Sequence, residues 1–507
     1  MPEARILNGA SGDELVVRIH GRDPSFRLGT DSIRAAAMTE LDDRTIDFLE
    51  IAATVFAADS GFSRGGDTRP GMGESWSRDF EVRIPVRDPM FWNQPEVVEA
   101  LRTATEFLTG DYVQFEFVSD QFGLPAEPFL DLDPDGQSFK ADEVIMFSGG
   151  LDSFAGALES LATTNRRVVL VTHRSAQKAI PRQVELGKVL ADRFPDQVLH
   201  IHVLARRSGK EAADSTQRSR TLLFTALGHA VARAFGADRL SFYENGIVSQ
   251  NLPISEQIAG TMATRTTHPL SLRLMNRVLA LGWPETPRIE NRFQWLTKTE
   301  VVRRIDEYGE AENIPKAVSC TSIRDQTKRF THCGACTQCL DRRFAILAAR
   351  LDGFDKPEDY KTDVLFGERP TNKSITIASE WTRHSLRMKS LDRTKAMDKF
   401  GLELSRIISG YPDLTPNAVL DRTLKMQQRH SEAVRNVLTK ALADHAADIA
   451  EQILPVSCLL VMHAGQKNAD DISPPLETFV HRSEQGLGHG RRNRYGAQCR
   501  DSADGRI

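Results

Sequence analysis

The chain has 507 residues, 40% apolar and 26% charged, enough to bury several cores and too apolar for a mainly disordered polymer. Its 65 lysines and arginines against 69 aspartates and glutamates leave a net charge of −4, which excludes a histone-like polycation though not a local nucleic-acid site, and nucleic acid is not the expected partner. The longest mostly apolar run, residues 453–462, contains Pro455 and falls well short of the about 20 residues a bilayer span needs, so no membrane partner is expected. The start, Met-Pro-Glu-Ala-Arg, carries no apolar signal segment. Four of the 6 cysteines fall between positions 320 and 339. Clustered thiols without an export signal point to a metal site in a reducing compartment, so a soluble, cytoplasmic protein is expected.

In chain order, residues 1–138 read as an α+β accessory domain. Residues 15–19 and 81–86 are strand candidates, and Val113, Phe115 and Phe117 alternate with Gln114 and Glu116 as a half-buried strand does. Pro95 stands at a first helical position ahead of Val97, Val98, Leu101 and Leu108, and Gly110 closes that helix. The glycine-rich stretch 61–73 reads as a surface loop, and the proline- and acid-rich stretch 124–140 as a linker. Residues 139–352 then alternate strands (143–147, 167–172, 198–204, 239–243) with helices (152–162, 182–193, 220–235), the pattern of an α/β unit with a doubly wound parallel sheet. Residues 353–480 read as a helical accessory domain, with Thr415 as an N-cap and Pro416 at the first helical position. Residues 481–507 form a basic, Gly- and Arg-rich tail read as flexible.

The first strand of the α/β unit runs straight into Ser148-Gly149-Gly150-Leu151-Asp152-Ser153 and then an alanine-rich helix. Strand, tight turn and helix start in that order make an anion cradle. Gly149 and Gly150 lack Cβ atoms, so backbone N–H groups can converge on one point. The helix start adds orphan N–H groups and the positive end of the macrodipole. Ser148 and Ser153 supply hydroxyls. Asp152 would repel a phosphate, which assigns it to holding Mg²⁺. No Gly-Lys-Ser/Thr is present, so the loop is not of the Walker type. The pattern resembles the PP-loop of the ATP pyrophosphatase family, which cleaves ATP between the α and β phosphates and adenylates a substrate oxygen.

Thr172 and His173 end the second strand, at the edge where an α/β sheet opens its ligand crevice. Arg218 and Arg220 start the helix after the third strand and can meet phosphate or carboxylate. Lys298, in Leu296-Thr297-Lys298-Thr299-Glu300, either reaches a phosphate or lies exposed in a first helical turn. His200 and His202 share a strand face and, with no third ligand, read as core or edge residues.

Cys320, Cys333, Cys336 and Cys339 supply four soft ligands, enough for a closed tetrahedral Zn²⁺ site that pins the end of the domain. A four-iron cluster is the rival occupant. Lys328, Arg329, Arg342 and Arg343 lie close in sequence and are candidates to offset the negative charge of the thiolates. Cys458 and Cys499 lie elsewhere and are not read as ligands.

Loop and cysteines together resemble the 7-cyano-7-deazaguanine synthase (QueC-like) family over residues 139–352. The resemblance rests on Ser148 to Ser153, Arg220-Thr221, the Leu296 to Glu300 segment, Ser319-Cys320, and Cys333, Cys336, Cys339 and Arg342. It implies an ATP-dependent, AMP-forming ligase that binds Zn²⁺ through the four cysteines and uses ATP and Mg²⁺. The implied substrate is 7-carboxy-7-deazaguanine, whose carboxylate is adenylated, amidated by ammonia and dehydrated to the nitrile. Ser148, Asp152, Ser153 and Lys298 are the implied catalytic residues, with Gly149, Gly150, Leu151, Thr172 and Arg220 as further nucleotide contacts. Two departures stand out. Arg218-Ser219-Arg220-Thr221 replaces the family's Pro-Xaa-Arg-Asn turn, and Glu244-Asn245-Gly246 with residues 250–253 replaces its acidic base-recognition segment. The long flanks look like those of QueC-like proteins of bacterial anti-phage operons, which implies a protein partner docked or modified through the accessory domains. Two other readings stay open: a PP-loop tRNA thiolase with an iron–sulfur cluster, and a scaffold that senses ATP without turnover.

Overall fold

The computed structural model describes residues 41–62, 77–119, 139–174, 180–206, 218–254, 265–285, 288–322, 325–327 and 329–465, with positions 33, 36 and 37 and the strand backbones 2–9, 12–19 and 26–29. These strands are β1 (Pro2–Gly9), β2 (Gly12–Ile19) and β3 (Phe26–Gly29). Helix α1 (Asp43–Gly61) follows, then β4 (Asp79–Val86), α2 (Pro89–Trp92), α3 (Pro95–Thr109) and β5 (Tyr112–Ser119). β4 and β5 pair in parallel as a separate two-stranded sheet. Pro95 is the first residue of α3, and Gly110 ends it in the left-handed region, at φ 75. The expected loop at 61–73 and linker at 124–140 fall mostly outside the described residues.

The central unit alternates β6 (Glu143–Met146), α4 (Leu151–Thr164), β7 (Val168–Arg174), α5 (Ile180–Arg193), β8 (Val198–Arg206), α6 (Arg220–Phe235) and β9 (Arg239–Phe242). It continues through α7 (Gly246–Gln250), α8 (Pro269–Gly282), β10 (Ile289–Asn291), α9 (Lys298–Glu307) and α10 (Thr337–Ala349). The strand order is β1-β2-β3-β8-β7-β6-β9-β10. β8 to β10 are parallel, and β3 joins β8 antiparallel, so the N-terminal strands widen the sheet. Alternate residues of β6 and β7 enter different cores. Val144, Val169 and Val171 pack with Leu222 and Leu227 of α6 and Phe48 of α1. Ile145, Val168 and Leu170 pack instead with Leu158 of α4, Leu186 of α5 and Val301 of α9. A strand's period of two thus gives helices on both faces, the doubly wound arrangement expected.

The C-terminal region is helical: α11 (Asn372–Arg387), α12 (Arg393–Ser409), α13 (Pro416–Asp444), α14 (Ala446–Ala450) and α15 (Leu459–Ala464). Thr415 caps α13 by accepting from the Ala418 N–H, with Pro416 next. Val434, Val437, Leu438 and Ala441 of α13 share one core with the cysteine segment, through Leu340, Phe344 and Trp381. No helix of the described residues is long and apolar enough to cross a membrane. The tail at 481–507 lies outside the described residues.

Candidate active site

The chain winds through β6, β7 and β8 in one direction, then returns to the other side of β6 for β9 and β10. The order therefore reverses between β6 and β9, and an α/β sheet opens its ligand crevice beyond the carboxyl ends of strands at such a point. Ile145 of β6 lies opposite Ser241 of β9. Three residues further along each strand stand Ser148 and Glu244, so both leave the sheet at the same level.

The 148–153 turn has the shape its sequence demands. Gly149 sits at φ +76, and a Cβ there would meet Gln183 Cγ at 2.8 Å. Glycine is required on both counts. Gln183 donates to the Ser148 carbonyl at 3.1 Å, and the Val318 N–H donates to the Gly149 carbonyl at 3.1 Å, so α5 and the segment before Cys320 clamp the turn. Ser148 Oγ lies 3.1 Å from Ser153 Oγ and accepts from the Gly150 N–H at 3.3 Å. Gly150 is the N-cap of α4 and offers no side-chain cap. The first N–H groups of α4, at Leu151, Asp152 and Ser153, are left facing the turn, where an anion satisfies them.

Asp152 is held by two neighbours on one oxygen. Lys298 Nζ lies 2.6 Å from Oδ2, and Asn245 Nδ2 donates to the same atom at 3.2 Å. Oδ1 is buried with no hydrogen-bond partner. A buried carboxylate oxygen without a donor fits a cation. Lys298 itself is 4% exposed. The exposed first-turn alternative is therefore excluded, and Lys298 joins the loop by neutralising Asp152. Arg220 is half-buried, with its guanidinium 5.5 Å from the Phe224 ring centre. It makes no hydrogen bond or ion pair among the described residues, and burial pulls its pKa below the usual arginine value despite the nearby Glu244 charge. A desolvated cation with its donors free is suited to an anionic ligand.

Thr172 is placed differently from its expected role. It is fully buried, and its hydroxyl donates to the Phe147 carbonyl at 2.9 Å and lies 2.7 Å from His200 Nε2. Its polar group supports the strand beneath the loop. His200 is half-buried, and its ring serves Thr172 within the sheet, in keeping with the core-or-edge reading. Glu244 is pinned from two sides: its backbone exchanges hydrogen bonds with the Asn291 amide at 3.1 and 2.8 Å, and Thr267 donates to its carboxylate. Burial lifts the Glu244 carboxyl above the ordinary range against that bond, and the Asp152 charge adds to the effect. Sequence reasoning missed Asp341, which is 8% exposed, accepts from Trp381 Nε1 at 2.8 Å and is lifted to about 6 by burial. Its position one residue before Arg342, on a helix start already assigned to metal binding, carried no separate signal.

The four cysteines converge. The sulfurs of Cys320, Cys333, Cys336 and Cys339 all lie within 4.8 Å of one another, with Cys333–Cys339 at 3.8 Å and Cys336–Cys339 at 3.5 Å. A tetrahedral ion with metal–sulfur bonds of about 2.3 Å needs sulfurs about 3.8 Å apart, so the set fits one Zn²⁺-like ion. A cubane cluster places each cysteine on a different iron and spreads the sulfurs further. The N–H groups of Cys333 and Ala335 donate to sulfur, each at 3.4 Å. Gly334 makes this knuckle possible: at φ +76 its absent Cβ would lie 1.7 Å from the Thr362 carbonyl oxygen.

The expected charge partners of the cysteines need correction. Arg342 and Arg343 turn to Asp355 at 2.9 and 3.1 Å, and Arg342 also donates to the Ala317 and Ile314 carbonyls. A buried guanidinium takes the partners that satisfy its fork, and here those are a carboxylate and carbonyls. The cation facing the knuckle is Arg369, which donates to the Gly334 carbonyl at 3.1 Å and feels the charges of Cys333 and Cys339. Arg329 lies over the Phe330 ring, and Lys328 is outside the described residues. Cys458 caps α15 and takes no part in the cluster, while Cys499 is outside the described residues.

Residues 267–350 match the family model described as queuosine biosynthesis protein QueC. No curated protein matches the chain at a significant level. The matched stretch holds Thr267, Lys298 and all four cysteines, and the 148–153 loop lies ahead of it. Over that stretch, the chain is similar to the QueC family.

Proposed function

We propose that the protein is an ATP-dependent, AMP-forming ligase that adenylates the carboxylate of a 7-carboxy-7-deazaguanine-type substrate and passes the acyl group to an amine. The observation that carries this reading is the glycine turn at the switch point. Its uncapped helix start and free Arg220 await an anion, and Lys298 of the QueC-matched stretch closes on Asp152 beside them. A carboxylate is a poor acylating agent, and a mixed anhydride with AMP supplies the leaving group. The carboxylate oxygen attacks the α-phosphorus, pyrophosphate leaves, and the amine then displaces AMP. No protein nucleophile is needed, so the residues act by positioning and charge neutralisation. The N–H groups of residues 151–153 and the hydroxyls of Ser148 and Ser153 hold the phosphates, and Arg220 meets a phosphate or the substrate carboxylate. Asp152 Oδ1 would hold Mg²⁺, which when bound offsets phosphate charge. The four cysteines would hold a structural Zn²⁺. The regions at 1–138 and 353–480 are proposed as docking surfaces for a partner protein that supplies the amine, in a setting such as anti-phage defence. Mass spectrometry of products tests the reading, using Mg²⁺-ATP and 7-carboxy-7-deazaguanine with and without ammonia. AMP and pyrophosphate should appear only with the deazapurine and disappear in Ser148→Ala. ATP left intact with that acid rejects the substrate.

A further inference from the structure

Lys298 follows the short turn 294–297, the segment bearing Asn245 is bonded to that same turn, and the C-terminal helix α13 contacts the turn from outside. The Lys298 helix begins with a capping box: the Thr297 hydroxyl accepts from the Glu300 N–H at 3.3 Å, and the Thr297 N–H donates to Glu300 Oε2 at 2.7 Å. Arg429 of α13 reaches across to it. Arg429 Nε lies 2.8 Å from Glu300 Oε1, and Nη2 donates to the Trp295 carbonyl at 2.8 Å. The same turn holds the second neighbour, since the Gly246 N–H, next to Asn245, donates to the Leu296 carbonyl at 2.8 Å. Gly246 is closed in by α13 as well: a Cβ there would lie 2.2 Å from the Gln294 carbonyl oxygen and 2.3 Å from Met426 Sδ.

Met426 and Arg429 are three apart and so share one face of α13. That face seats residues 294–297, and these residues start both the helix bearing Lys298 and the contact to the segment bearing Asn245. An exposed ion pair contributes little to stability by itself. Its placement on a capping box whose next residue grips the loop carboxylate gives it another role. We propose that α13 is a positioning clamp for the loop site, with Arg429 acting through Glu300 to hold Lys298 on Asp152. The kinetic part of this inference rests on the ligase reading; the positioning part does not.

Two measurements on the full chain separate them. The first is pulse acetylation with acetic anhydride, read by peptide mass spectrometry at Lys298 relative to the exposed Lys395. Arg429→Met should raise Lys298 labelling about tenfold, Arg429→Lys should restore most of the protection, and the thermal midpoint should fall by less than about 2 °C. Unchanged labelling overturns the clamp. The second is a double-mutant cycle on carboxylate-dependent pyrophosphate release. Arg429→Met should lower kcat about tenfold with KM for ATP nearly unchanged, and should have no further effect in a Lys298→Ala background. Equal losses in both backgrounds make Arg429 merely structural and overturn the proposal. Altered labelling in a protein that releases no pyrophosphate keeps the clamp and rejects the ligase.

Discussion

Two glycines carry more of the site than any charged residue, because each occupies a left-handed backbone position with an atom where a side chain would go. Gly149→Ala forces Cβ to within 2.8 Å of Gln183 Cγ at φ +76. It should cost about 1–2 kcal/mol and suppress turnover more strongly than stability, checked by denaturant titration beside the AMP assay. At Gly334 the obstacle is backbone, the Thr362 carbonyl at 1.7 Å. Gly334→Ala should therefore displace the knuckle and reduce bound metal well below one ion per chain, measured by elemental analysis of purified protein. Full metal content in that variant would mean that the four sulfurs are held from elsewhere. Lys298 gives a third residue-scale expectation. Lys298→Met leaves Asp152 buried without its cation, so it should lose more than tenfold in activity, while Lys298→Arg should recover only part of it.

Among the elements, the α/β strands and the helices that follow them were legible because each buries a regular pattern. β6 to β9 are short apolar runs, and Gly110, Thr415 and Pro416 mark helix ends through their own backbone chemistry. Helix α1 escaped the pattern. It is buried nearly all round, with Phe48, Leu49, Ile51, Ala52, Ala53, Val55 and Phe56 in succession, so no polar stripe betrays its period. β10 is too short to show a period, and Arg369 lies thirty residues past Cys339, the last cysteine of the cluster, where spacing carries no signal. The loop and cysteine residues were legible because their chemistry is local. The contacts that place them are distant in sequence: Asp59 of α1 caps the helix bearing Arg220 by accepting from the Ser219 N–H and hydroxyl, both at 2.9 Å. Asp59 also pairs with Arg78 at 2.6 Å. Asp59→Ala should cost about 1–2 kcal/mol, mainly by leaving the helix start uncapped, since Arg78 keeps Asp111 at 2.7 Å, and the shift of the denaturation midpoint at constant slope measures it.

At the scale of the whole molecule, buried histidines set an acid limit. His229, His268 and His430 are at most 5% exposed, and burial pushes them down to about 3, 3 and 4. Unfolded, each titrates near 6.5, so between that value and the folded one the unfolded chain binds more protons. Their contribution is complete above pH 6.5 and is lost as the pH falls, by about 1.4 kcal/mol per pH unit for each residue. The raised Asp341 and Glu244 carboxyls act in the opposite sense as the pH falls, so the histidines set the direction of the net change only because they are more numerous. The midpoint of thermal unfolding should thus be flat from pH 7 to 8 and fall steeply below 6, and a flat profile to pH 5 would contradict the buried, neutral rings. The claim on which the functional account turns is reversible adenylation by the 148–153 loop. It is tested most directly by exchange of radiolabelled pyrophosphate into ATP in the presence of Mg²⁺ and 7-carboxy-7-deazaguanine, without any amine. The account predicts exchange that requires the acid, is abolished by Ser148→Ala and falls more than tenfold in Lys298→Met. Exchange that proceeds equally without the acid, or that survives both substitutions, would contradict it.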